Sequence, residues 1–331
     1  MYVATIDTGT TNTRVKIWGK ETLLGQGFCA VGVRDTAITG SKEKLTKAIK
    51  DTLLTATAAA GLVGDKLDLI LASGMLTSNV GLLEVPHVAA PAGAAALAAG
   101  MVEQCIPSIC RQPVWFIPGV KNMVNDLATE RIDDMDIMRG EEVEVFGLLA
   151  KLKLTGPAVF ILPGSHSKFV PVDGNGQITG CVTTMAGELL AVLSKDTILA
   201  DAVGHGFSTR LEVPAFWQGV RCYQRLGLGR ASFTVRILDQ FTGYTLEEKR
   251  SYLLGIILAD DMQAWENSHI LQEVTTETIV VAGKTIFQHG MQALLAEKYP
   301  ERNIMPVDTN VQADIAGLGA ITIAKLRGFL P

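Results

Sequence analysis

The chain has 331 residues, of which 48% are apolar and 19% are charged, and its formal net charge at neutral pH is −5. This length and apolar content suit about two globular domains with sizeable cores, and they exclude a disordered chain. The negative charge argues against a nucleic-acid-binding protein, because no basic stripe stands out in the sequence.

Cysteine usage and the apolar segments together favour a cytoplasmic protein. The cysteines are odd in number and form no CxxC pair, which favours reduced thiols over disulfides or a zinc site. The amino-terminal segment lacks the basic region of a signal peptide. The most apolar stretch, residues 80–102, is predicted to be a loop and a buried helix and not a membrane span, because charged residues and prolines interrupt it. The cysteines are Cys29, Cys105, Cys110, Cys181 and Cys222.

The first half of the sequence is predicted to open with an antiparallel meander and to continue with alternating helices and strands. Alternating apolar residues and short apolar runs predict the strands, while Ser41 as N-cap and Gly61 as stop delimit the first helix. In chain order, the predicted elements are strands 2–7, 13–19 and 23–33, helix 42–60, strand 68–72, helix 92–104 and strand 114–117.

The second half repeats this plan, with a Gly/Ser-rich turn between the first two strands of a second meander. In chain order, the predicted elements are strands 158–162, 169–173 and 177–184, helix 187–195, a mostly helical segment 200–275, strand 278–282, helix 285–297, strand 303–307 and helix 312–327. Two halves of this pattern favour a duplicated α/β fold with a cleft between the halves. The repeat is one of pattern alone, since sequence identity between the halves is low.

The turn after the first strand is the strongest chemical signal of the first half. The turn covers residues 8–12, directly after Asp7, and contains Gly9, Thr10, Thr11 and Asn12. Backbone N–H groups and hydroxyls at one spot, beside a carboxylate, suit a polyphosphate and its Mg²⁺. Asp7 is the predicted metal residue, acting through water. The alternative interpretation is an ordinary hairpin in which the Asp and Thr side chains stabilise the turn.

A second turn of the same kind follows the first strand of the second meander. It contains Gly164, Ser165, His166, Ser167 and Lys168, a dense set of hydrogen-bond donors. Lys168 is predicted to neutralise charge that develops on a γ-phosphate, and His166 to bind phosphate or assist a proton. The alternative is a polar hairpin turn without a ligand.

Several short segments recur in the same order in one known family. The most specific are RGEE at residues 139–142 and PGSHSK at 163–168. The others are SGM at 73–75, FIPG at 116–119 and MAGEL at 185–189. In these segments the chain resembles the 2-dehydro-3-deoxygalactonokinase family, which lies within the superfamily of actin, sugar kinases and heat-shock ATPases.

The chain departs from the family pattern at two places. After SGM the family has a Gly-Ser-Arg stretch and then an aromatic residue, whereas residues 76–79 here read LTSN and Leu82 lies near the aromatic position. The family's Thr-Gly-Glu reads Ala-Gly-Glu at residues 186–188. The missing Arg bears on which sugar acid is bound and leaves the phosphoryl transfer unaffected.

The resemblance implies an α/β protein with a duplicated ribonuclease H-like (actin-like ATPase) fold, whose two domains enclose a nucleotide cleft. The domains are expected at residues 1–137 and 138–331. The implied reaction uses ATP and Mg²⁺ to phosphorylate the terminal hydroxyl of a 2-keto-3-deoxy sugar acid. The favoured substrate is 2-dehydro-3-deoxy-D-galactonate, which would give its 6-phosphate in galactonate degradation.

The resemblance also implies two helices in the hinge region that cross closely through small residues. These are expected at residues 142–149, with Gly147, and at residues 315–323, with Gly317 and Gly319. An adenosine motif is expected at Ala282 and Gly283, where Gly283 lets the backbone approach the nucleoside and Gly187 helps in the same way. The alternative for Gly283 is the plain end of a strand before a helix.

The head of the first hinge helix is the implied position of the general base, at Glu141 or Glu142. Adjacent helical carboxylates point about 100° apart, so only one of the two faces the acceptor, and Glu141 is favoured. The alternative is that these acids simply complement the helix dipole. Arg139 is predicted either to clamp the substrate carboxylate or to form a structural ion pair with Asp133, Asp134 or Asp136.

Loops after strands of the first half are predicted to line the sugar-acid site, because ligands of α/β folds bind at the carboxyl ends of strands. For each loop taken singly, a plain turn is the alternative. The predicted lining residues are Ser73, Gly74, Met75, Thr77, Ser78, Pro118 and Gly119.

The sequence therefore predicts a sugar-acid kinase whose partners are ATP and a small acid, with neither a nucleic acid nor a membrane. The rival predictions are another small-molecule kinase of the superfamily and an ATP-binding regulatory switch. The RGEE segment argues against the switch, since a switch needs no base for a sugar hydroxyl. The apolar excess suggests a homodimer.

Overall fold

A computed structural model describes residues 1–62, 66–124, 128–272 and 276–330. The chain divides into two compact units by its internal contacts. The first unit comprises Met1–Gly156, Gly174–Gly180 and Ala313–Pro331, and the second comprises Pro157–Asp173 and Cys181–Gln312. The end of the predicted helical segment 200–275 lies outside the described residues.

The elements of the first half follow the predicted alternation after an opening meander. In chain order they are β1 (Tyr2–Thr8), β2 (Thr13–Gly19), β3 (Thr22–Cys29), α1 (Val33–Thr39), α2 (Glu43–Ala59), β4 (Leu69–Gly74), β5 (Val88–Ala89), α3 (Ala94–Ala99), β6 (Val102–Gln104), β7 (Val114–Phe116), β8 (Val120–Lys121), β9 (Ile137–Met138) and α4 (Glu141–Leu152). Short 3₁₀ turns lie at Met75–Thr77 and Thr129–Asp134.

The elements of the second half begin with another meander, and long helices follow it. In chain order they are β10 (Ala158–Leu162), β11 (Ser167–Val172), β12 (Val182–Thr184), α5 (Ala186–Lys195), α6 (Val213–Phe241), α7 (Leu246–Asn267), α8 (His269–Gln272), β13 (Thr278–Val281), α9 (Thr285–Lys298), β14 (Asn303–Pro306), α10 (Thr309–Gln312) and α11 (Ile315–Leu326). Gly227, with φ of 72°, interrupts α6.

The main sheet of the first unit has the strand order β3-β2-β1-β4-β7-β6. The first three strands are antiparallel neighbours, whereas β1, β4 and β7 are parallel. Asp7 of β1 pairs with Arg14 of β2 on one side and with Ser73 of β4 on the other. Parallel pairing therefore brings the carboxyl ends of β1 and β4, and the loops that follow them, to one edge of the sheet.

The sheet of the second unit has the order β12-β11-β10-β13-β14 and repeats this arrangement. Its first three strands form an antiparallel meander, and β10, β13 and β14 are parallel. Two sheets, each a meander followed by parallel strands in the same order, confirm the predicted duplication of an α/β fold. Matching topology at low sequence identity means that the duplication lies in strand order and not in side chains.

Glycines allow the helix α2 to lie close to the sheet in the first unit. Leu45, Ile49 and Leu53 of α2 are buried in the core. A Cβ on Gly25 would lie 2.4 Å from the Ala60 nitrogen, and a Cβ on Gly27 would lie 2.6 Å from the Thr52 oxygen. These contacts explain why β3 contains glycine at alternate positions, although glycine is unfavourable in a strand interior.

Helices α4 and α11 cross as closely as their small residues predicted. A Cβ on Gly147 would lie 2.0 Å from the Ile315 oxygen, and a Cβ on Gly319 would lie 1.8 Å from the Val143 oxygen. Gly317 has another reason to be small, since its added Cβ would meet the Trp18 ring at 2.3 Å. The prediction of Gly317 as a crossing residue was therefore wrong in detail, because Gly317 lies on the side of α11 that faces Trp18 of β2.

The contact between α4 and α11 also places residues 138–156 and 313–331 in the first unit. The unit defined by contacts thus extends past residue 137. The division into repeats at residues 137 and 138 stays a prediction.

Two predicted elements of the first half end earlier than expected. The third strand ends at Cys29, and the last residue of its predicted range, Val33, begins α1 instead. The Ala-rich helix covers only Ala94–Ala99, and Val102–Gln104 form an edge strand antiparallel to β7. Gly32 and Gly100 lie at these transitions, and tertiary pairing there outweighs the local apolar pattern.

The predicted strand 177–184 divides in the structure. Only Val182–Thr184 pair with β11, whereas Gly174–Gly180 belong to the first unit. Ile178 forms an antiparallel bridge to Ala92 and is fully buried. A long-range backbone pairing, which the sequence does not signal, therefore breaks the strand.

Candidate functional site

The first predicted phosphate loop is a tight turn with Asp7 at its base. The Gly9 N–H donates to the Asn12 carbonyl at 2.9 Å, which closes the turn. The hydroxyls of Thr8 and Thr13 lie 3.0 Å apart beneath it. The Asp7 side chain is 27% exposed and lies 3.5 Å from Arg14. Burial raises the pKa of Asp7 although Arg14 opposes the rise.

The start of α1 braces this turn from outside. The N–H groups of Val33 and Arg34 donate to the carbonyls of Gly9 and Thr10, at 3.2 and 2.9 Å. A Cβ on Gly32 would lie 2.5 Å from the Gly9 oxygen, so this approach needs glycine. The turn is thus held through its carbonyls. Its predicted phosphate-binding residues Thr10 and Thr11 are exposed, with Asn12 donating to the Thr11 hydroxyl at 3.0 Å.

Glu142, the second acid of the RGEE segment, is fully buried and bound to the backbone. Its two carboxylate oxygens accept from the Gly140 N–H at 2.9 and 2.8 Å. Gly140 has φ of 111°, in the region that favours glycine, so Glu142 fixes an unusual backbone at the start of α4. Burial, with a smaller contribution from Glu141, raises the pKa of Glu142 to about 8. These contacts indicate a structural role.

Glu141 differs from its neighbour because its side chain is only partly buried. One of its carboxylate oxygens accepts from the Arg139 N–H at 3.2 Å. The two adjacent carboxylates thus have separate environments, as their helical positions predicted. Of the two predicted catalytic acids, Glu141 is the one whose side chain solvent reaches, which supports it as the candidate base.

Glu144 is a site residue that the sequence reasoning missed. Burial raises its pKa to about 8, and Asp7 and then Glu141 add to the rise as like charges. Asp7 at the end of β1 and Glu141 at the head of α4 therefore both act electrostatically on Glu144. The signal in the sequence was the spacing of three between Glu141 and Glu144, which places both on one face of a helix.

We expect Glu144→Gln to stabilise the protein at alkaline pH. A carboxyl whose folded-state pKa is raised destabilises the fold when it ionises, so the penalty is absent below about pH 4.5, grows as the pH rises to about 8 and then remains constant. The variant should be more stable than the wild type by on the order of 1–2 kcal/mol at pH 8.5 and nearly equal to it at pH 5. Urea unfolding at the two pH values measures the difference.

Glu297→Gln is the matched control, since Glu297 is an exposed carboxylate on α9. It should shift stability little at either pH. A gain from Glu144→Gln that is the same at pH 5 and pH 8.5 would contradict the assignment of ionisation as the cause.

Arg139 is held by neutral acceptors. Its guanidinium donates to the Thr77 hydroxyl at 2.7 Å and the Val85 carbonyl at 2.8 Å, and it lies 3.3 Å from His87 Nδ1. Within the described parts of the chain, none of the hydrogen bonds of this guanidinium goes to a carboxylate. Asp134 instead pairs with Arg131 at 2.9 Å. The predicted alternative of a structural ion pair for Arg139 with the neighbouring acids was therefore wrong.

The predicted sugar-acid loops lie beside Arg139, and several of their hydroxyls are bound to the backbone. Thr77 donates to the Gly74 carbonyl at 3.0 Å, and Ser78 donates to the Met75 carbonyl at 2.7 Å. Gly74 has φ of 75°, and its added Cβ would lie 2.6 Å from the Thr8 oxygen of the first loop. These residues thus shape the 3₁₀ turn after β4.

Gly119 contacts the same region, whereas Pro118 lies beside Gly100, whose added Cβ would be 3.1 Å from the Pro118 Cγ. A Cβ on Gly119 would lie 2.8 Å from Arg139 Cγ and 2.9 Å from His87 Cδ2. Gly119 therefore gives Arg139 and His87 room to pack against the backbone. His87 is a second residue that the motifs did not identify, since no spacing rule links it to Arg139.

The second phosphate loop is shorter than predicted, because Ser167 and Lys168 begin strand β11. Both are buried, and Lys168 Nζ donates to the Thr183 hydroxyl of β12 at 2.6 Å. His166 Nε2 lies 2.9 Å from a Glu188 carboxylate oxygen at the exposed side of the loop. The predicted roles of Lys168 and His166 toward phosphate stay predictions.

Helix α5 packs its first turn against this loop. The Glu188 N–H donates to the Ser165 carbonyl at 2.9 Å. A Cβ on Gly187 would lie 2.1 Å from the Gly164 oxygen. Gly187 thus has a local reason to be glycine, which is contact with the second loop. Its role near adenosine stays a prediction.

Asp261 on α7 anchors the strand beside this loop and was not predicted. Its carboxylate accepts a hydrogen bond from the Thr184 hydroxyl, and Thr184 pairs with Ser167 between β12 and β11. The side chain is 2% exposed, and burial raises its pKa to about 6. No sequence motif marks Asp261, since it meets β12 only through tertiary packing.

The predicted adenosine motif lies next to the start of the second loop. The Ala282 N–H donates to the Ile161 carbonyl at 2.9 Å, which continues the pairing of β13 with β10. Gly283 has φ of 151°, and its added Cβ would lie 2.6 Å from the Pro163 oxygen. The Gly283 N–H donates to the Gln312 side chain at 2.8 Å. The structure therefore brings Gly283 beside the residue that precedes Gly164.

The described residues contain no group of three or more His, Cys, Asp or Glu side chains placed to hold a metal ion. Within the same residues, no helix has the length and apolarity that crossing a membrane requires.

Comparison with protein families gives a match over nearly the whole chain. The model of the 2-keto-3-deoxy-galactonokinase family matches residues 7–321. The chain belongs to this family. Family membership makes it a sugar-acid kinase, an enzyme that transfers a phosphoryl group from ATP, and confirms the resemblance found in the motifs. No curated protein matches the chain.

Solved structures of low identity share the fold of this kinase. A “putative 2-dehydro-3-deoxygalactonokinase protein” from Sinorhizobium meliloti is 23% identical, with 98% of each chain covered and a TM-score of 0.74. The component A of the Acidaminococcus fermentans (R)-2-hydroxyglutaryl-CoA dehydratase is 12% identical, covering 98% of this chain and 99% of that one, with a TM-score of 0.52.

A third structure shares the fold and contains a nucleotide analogue. The activator of the Clostridium difficile 2-hydroxyisocaproyl-CoA dehydratase, with bound ADPNP, is 12% identical, covers 99% of this chain and 96% of that one, and has a TM-score of 0.53. The kinase therefore has the actin-like ATPase fold that the resemblance to the family implied.

Proposed function

We propose that this kinase phosphorylates the terminal hydroxyl of a 2-keto-3-deoxy sugar acid, with 2-dehydro-3-deoxy-D-galactonate as its substrate and the 6-phosphate as its product. The observation that carries the proposal is the head of α4. There the partly exposed carboxylate of Glu141 lies two residues from the guanidinium of Arg139, a cation that the described residues leave without an ion pair. A base for a hydroxyl and a clamp for a carboxylate are what such a substrate requires.

Glu141 takes the proton of the acceptor hydroxyl in this proposal. Phosphoryl transfer needs little covalent help from the protein, so positioning and charge stabilisation dominate the catalysis. Arg139 binds the substrate carboxylate, and the loops that carry Ser73 and Gly119 shape its site. Glu142 keeps the backbone at Gly140 in place.

ATP is held in this proposal through the two glycine-containing loops, and Mg²⁺ is held at Asp7. A cation at Asp7 is supported by the like charge that Asp7 presents to Glu144, since a divalent ion would offset that repulsion. When bound, Mg²⁺ neutralises charge on the transferring phosphate. Gly9–Asn12 would contact phosphate oxygens through hydroxyls and amides.

A coupled assay of ADP release with ATP and Mg²⁺ tests the proposal. The panel of acceptors contains 2-keto-3-deoxy acids, other aldonates, neutral sugars and pantothenate, with a reaction that lacks an acceptor as the control. We expect strong stimulation by 2-dehydro-3-deoxygalactonate. Stimulation by a different acid alone would overturn the substrate, and stimulation by a neutral acceptor alone would overturn the role of Arg139.

The same assay addresses the two rival functions. A pantothenate response would indicate another small-molecule kinase of the superfamily. ATP binding without stimulation by any acceptor would indicate a regulatory switch. The proposal also places the enzyme in cytoplasmic galactonate degradation, and the predicted homodimer is testable by sedimentation.

A further inference from the structure

The cation of Arg139 is surrounded by acceptors that carry no charge. In the described residues, its hydrogen-bond partners are a hydroxyl of Thr77, a carbonyl of Val85 and the ring nitrogen Nδ1 of His87. Glu84 and Glu142 act on the guanidinium electrostatically, but neither forms a hydrogen bond with it. The arrangement fixes the guanidinium and leaves its charge available to an incoming anion.

The protonation state of His87 follows from this contact. A guanidinium has donors and no acceptor, so Nδ1 of His87 must accept, and the ring proton must lie on Nε2. Nε2 is buried and has no hydrogen-bond partner in the described part of the chain. A buried donor without an acceptor destabilises a fold, so the position of His87 needs a reason other than stability.

His87 is neutral in this environment. Burial lowers its pKa to about 4, and the charges of Arg139 and Lys121 add to the effect. The imidazole therefore remains an uncharged acceptor throughout the neutral pH range. A carboxylate at the same position would also hold Arg139, but it would form an ion pair and cancel the charge.

We infer that His87 is a positioning residue for the acidic substrate, which holds Arg139 in place through Nδ1 and keeps its charge free to bind the carboxylate of a 2-oxo acid. This inference rests on the proposed function, because it assumes that Arg139 binds the acid. It assigns to His87 the discrimination between acidic and neutral acceptors.

Three substitutions of nearly the same shape separate the possible roles of His87. Asn keeps a neutral acceptor near the position of Nδ1, Leu removes the acceptor, and Asp adds a carboxylate there. We expect His87→Asn to keep the KM for the sugar acid within about threefold of the wild type. His87→Leu should raise this KM about tenfold, because Arg139 loses one hydrogen bond that positions it. His87→Asp should raise it about 100-fold or more, because an ion pair with Asp occupies the guanidinium and weakens its charge-assisted bonds to the substrate.

The KM for ATP and the kcat at saturating acid should change far less than the KM for the acid. A change in the KM for the acid without a comparable change in kcat or in the KM for ATP is a result that a merely structural role would not give. Circular dichroism establishes that each variant is folded. Equal KM values for His87→Asn and His87→Asp would overturn the inference, because they would show that the neutrality of residue 87 is irrelevant. Parallel losses in kcat and in the KM for ATP would overturn it as well.

Failure of the proposed function is seen separately, in the wild-type enzyme. If no acid in the panel supports turnover by the wild type, the proposed function fails before any variant is compared. Calorimetric titration of 2-dehydro-3-deoxygalactonate into the wild type and His87→Asp then tests the inference by binding alone. Weaker binding to His87→Asp than to His87→Asn supports it, and equal binding or no binding to the wild type contradicts it.

Discussion

Glu141→Gln should lower kcat by about 100-fold or more while ATP still binds, since a positioned general base contributes about 10²–10⁴-fold to a rate. The amide keeps the size of the side chain and accepts from the Arg139 N–H as the carboxylate does. It cannot take a proton from the acceptor hydroxyl. Steady-state ADP release at saturating ATP and acid measures kcat, and calorimetry measures ATP binding.

Glu142→Gln is the matched control for this prediction, because it makes the same change one residue along the helix. The Glu142 pKa of about 8 means that the carboxyl is largely protonated at pH 7, and an amide resembles that form. The amide oxygen can still accept from the Gly140 N–H. We expect kcat to fall less than about tenfold. If Glu142→Gln removes turnover and Glu141→Gln does not, the assignment of the base is reversed.

Gly319→Ala should destabilise the first unit strongly. The added Cβ would lie 1.8 Å from the Val143 oxygen and 2.9 Å from the Gly147 nitrogen, both of which are backbone atoms of α4. Backbone atoms cannot rotate away as a side chain can, so the two helices must separate. We expect a loss of about 3 kcal/mol, at the upper end of the usual cost of overpacking. Urea unfolding gives the free energy, and a melting curve should show Tm lowered by roughly 10 °C.

Gly229→Ala is the control for this glycine substitution. Gly229 lies within α6, and no atom comes within 4 Å of its added Cβ. Replacing a helical glycine in open space should stabilise the protein by up to about 1 kcal/mol. A loss from Gly319→Ala no larger than the effect of Gly229→Ala would show that α4 and α11 separate without cost, which would contradict the close crossing as a source of stability.

Local patterns predicted most of the fold because short-range physics determines its elements. Alternate apolar positions predicted β1, a short apolar run predicted β10, and the predicted helix 42–60 agrees with α2 to within one residue at each end. The N-cap of α2 is Lys42, however, and not the predicted Ser41, whose hydroxyl accepts from the Glu43 N–H at 3.3 Å. The ends of some elements were predicted less well. The helix α1 begins where strand β3 was expected to end, because its first residues brace the first loop. The strand β6 replaces the expected end of helix α3, because it pairs with β7.

The residues of the candidate site also fall into two groups, those that sequence motifs identified and those that they did not. Motifs identified Asp7, Arg139 and the RGEE acids, since these residues share short stretches with distinctive spacing. They did not identify Glu144, His87 or Asp261. Each of these residues interacts with a partner that is distant in the chain or that no motif marks. His87, for example, lies 52 residues before its partner Arg139.

The sequence by itself determined the class of this protein: an α/β kinase of the actin-like fold, with two glycine-containing turns and an acid pair at a helix start. Only the tertiary structure decided how the acids differ, by burying Glu142 against Gly140 and leaving Glu141 partly exposed. The physical reason is that burial and hydrogen-bond partners set the pKa of a carboxyl, and adjacent residues of a helix face different surroundings.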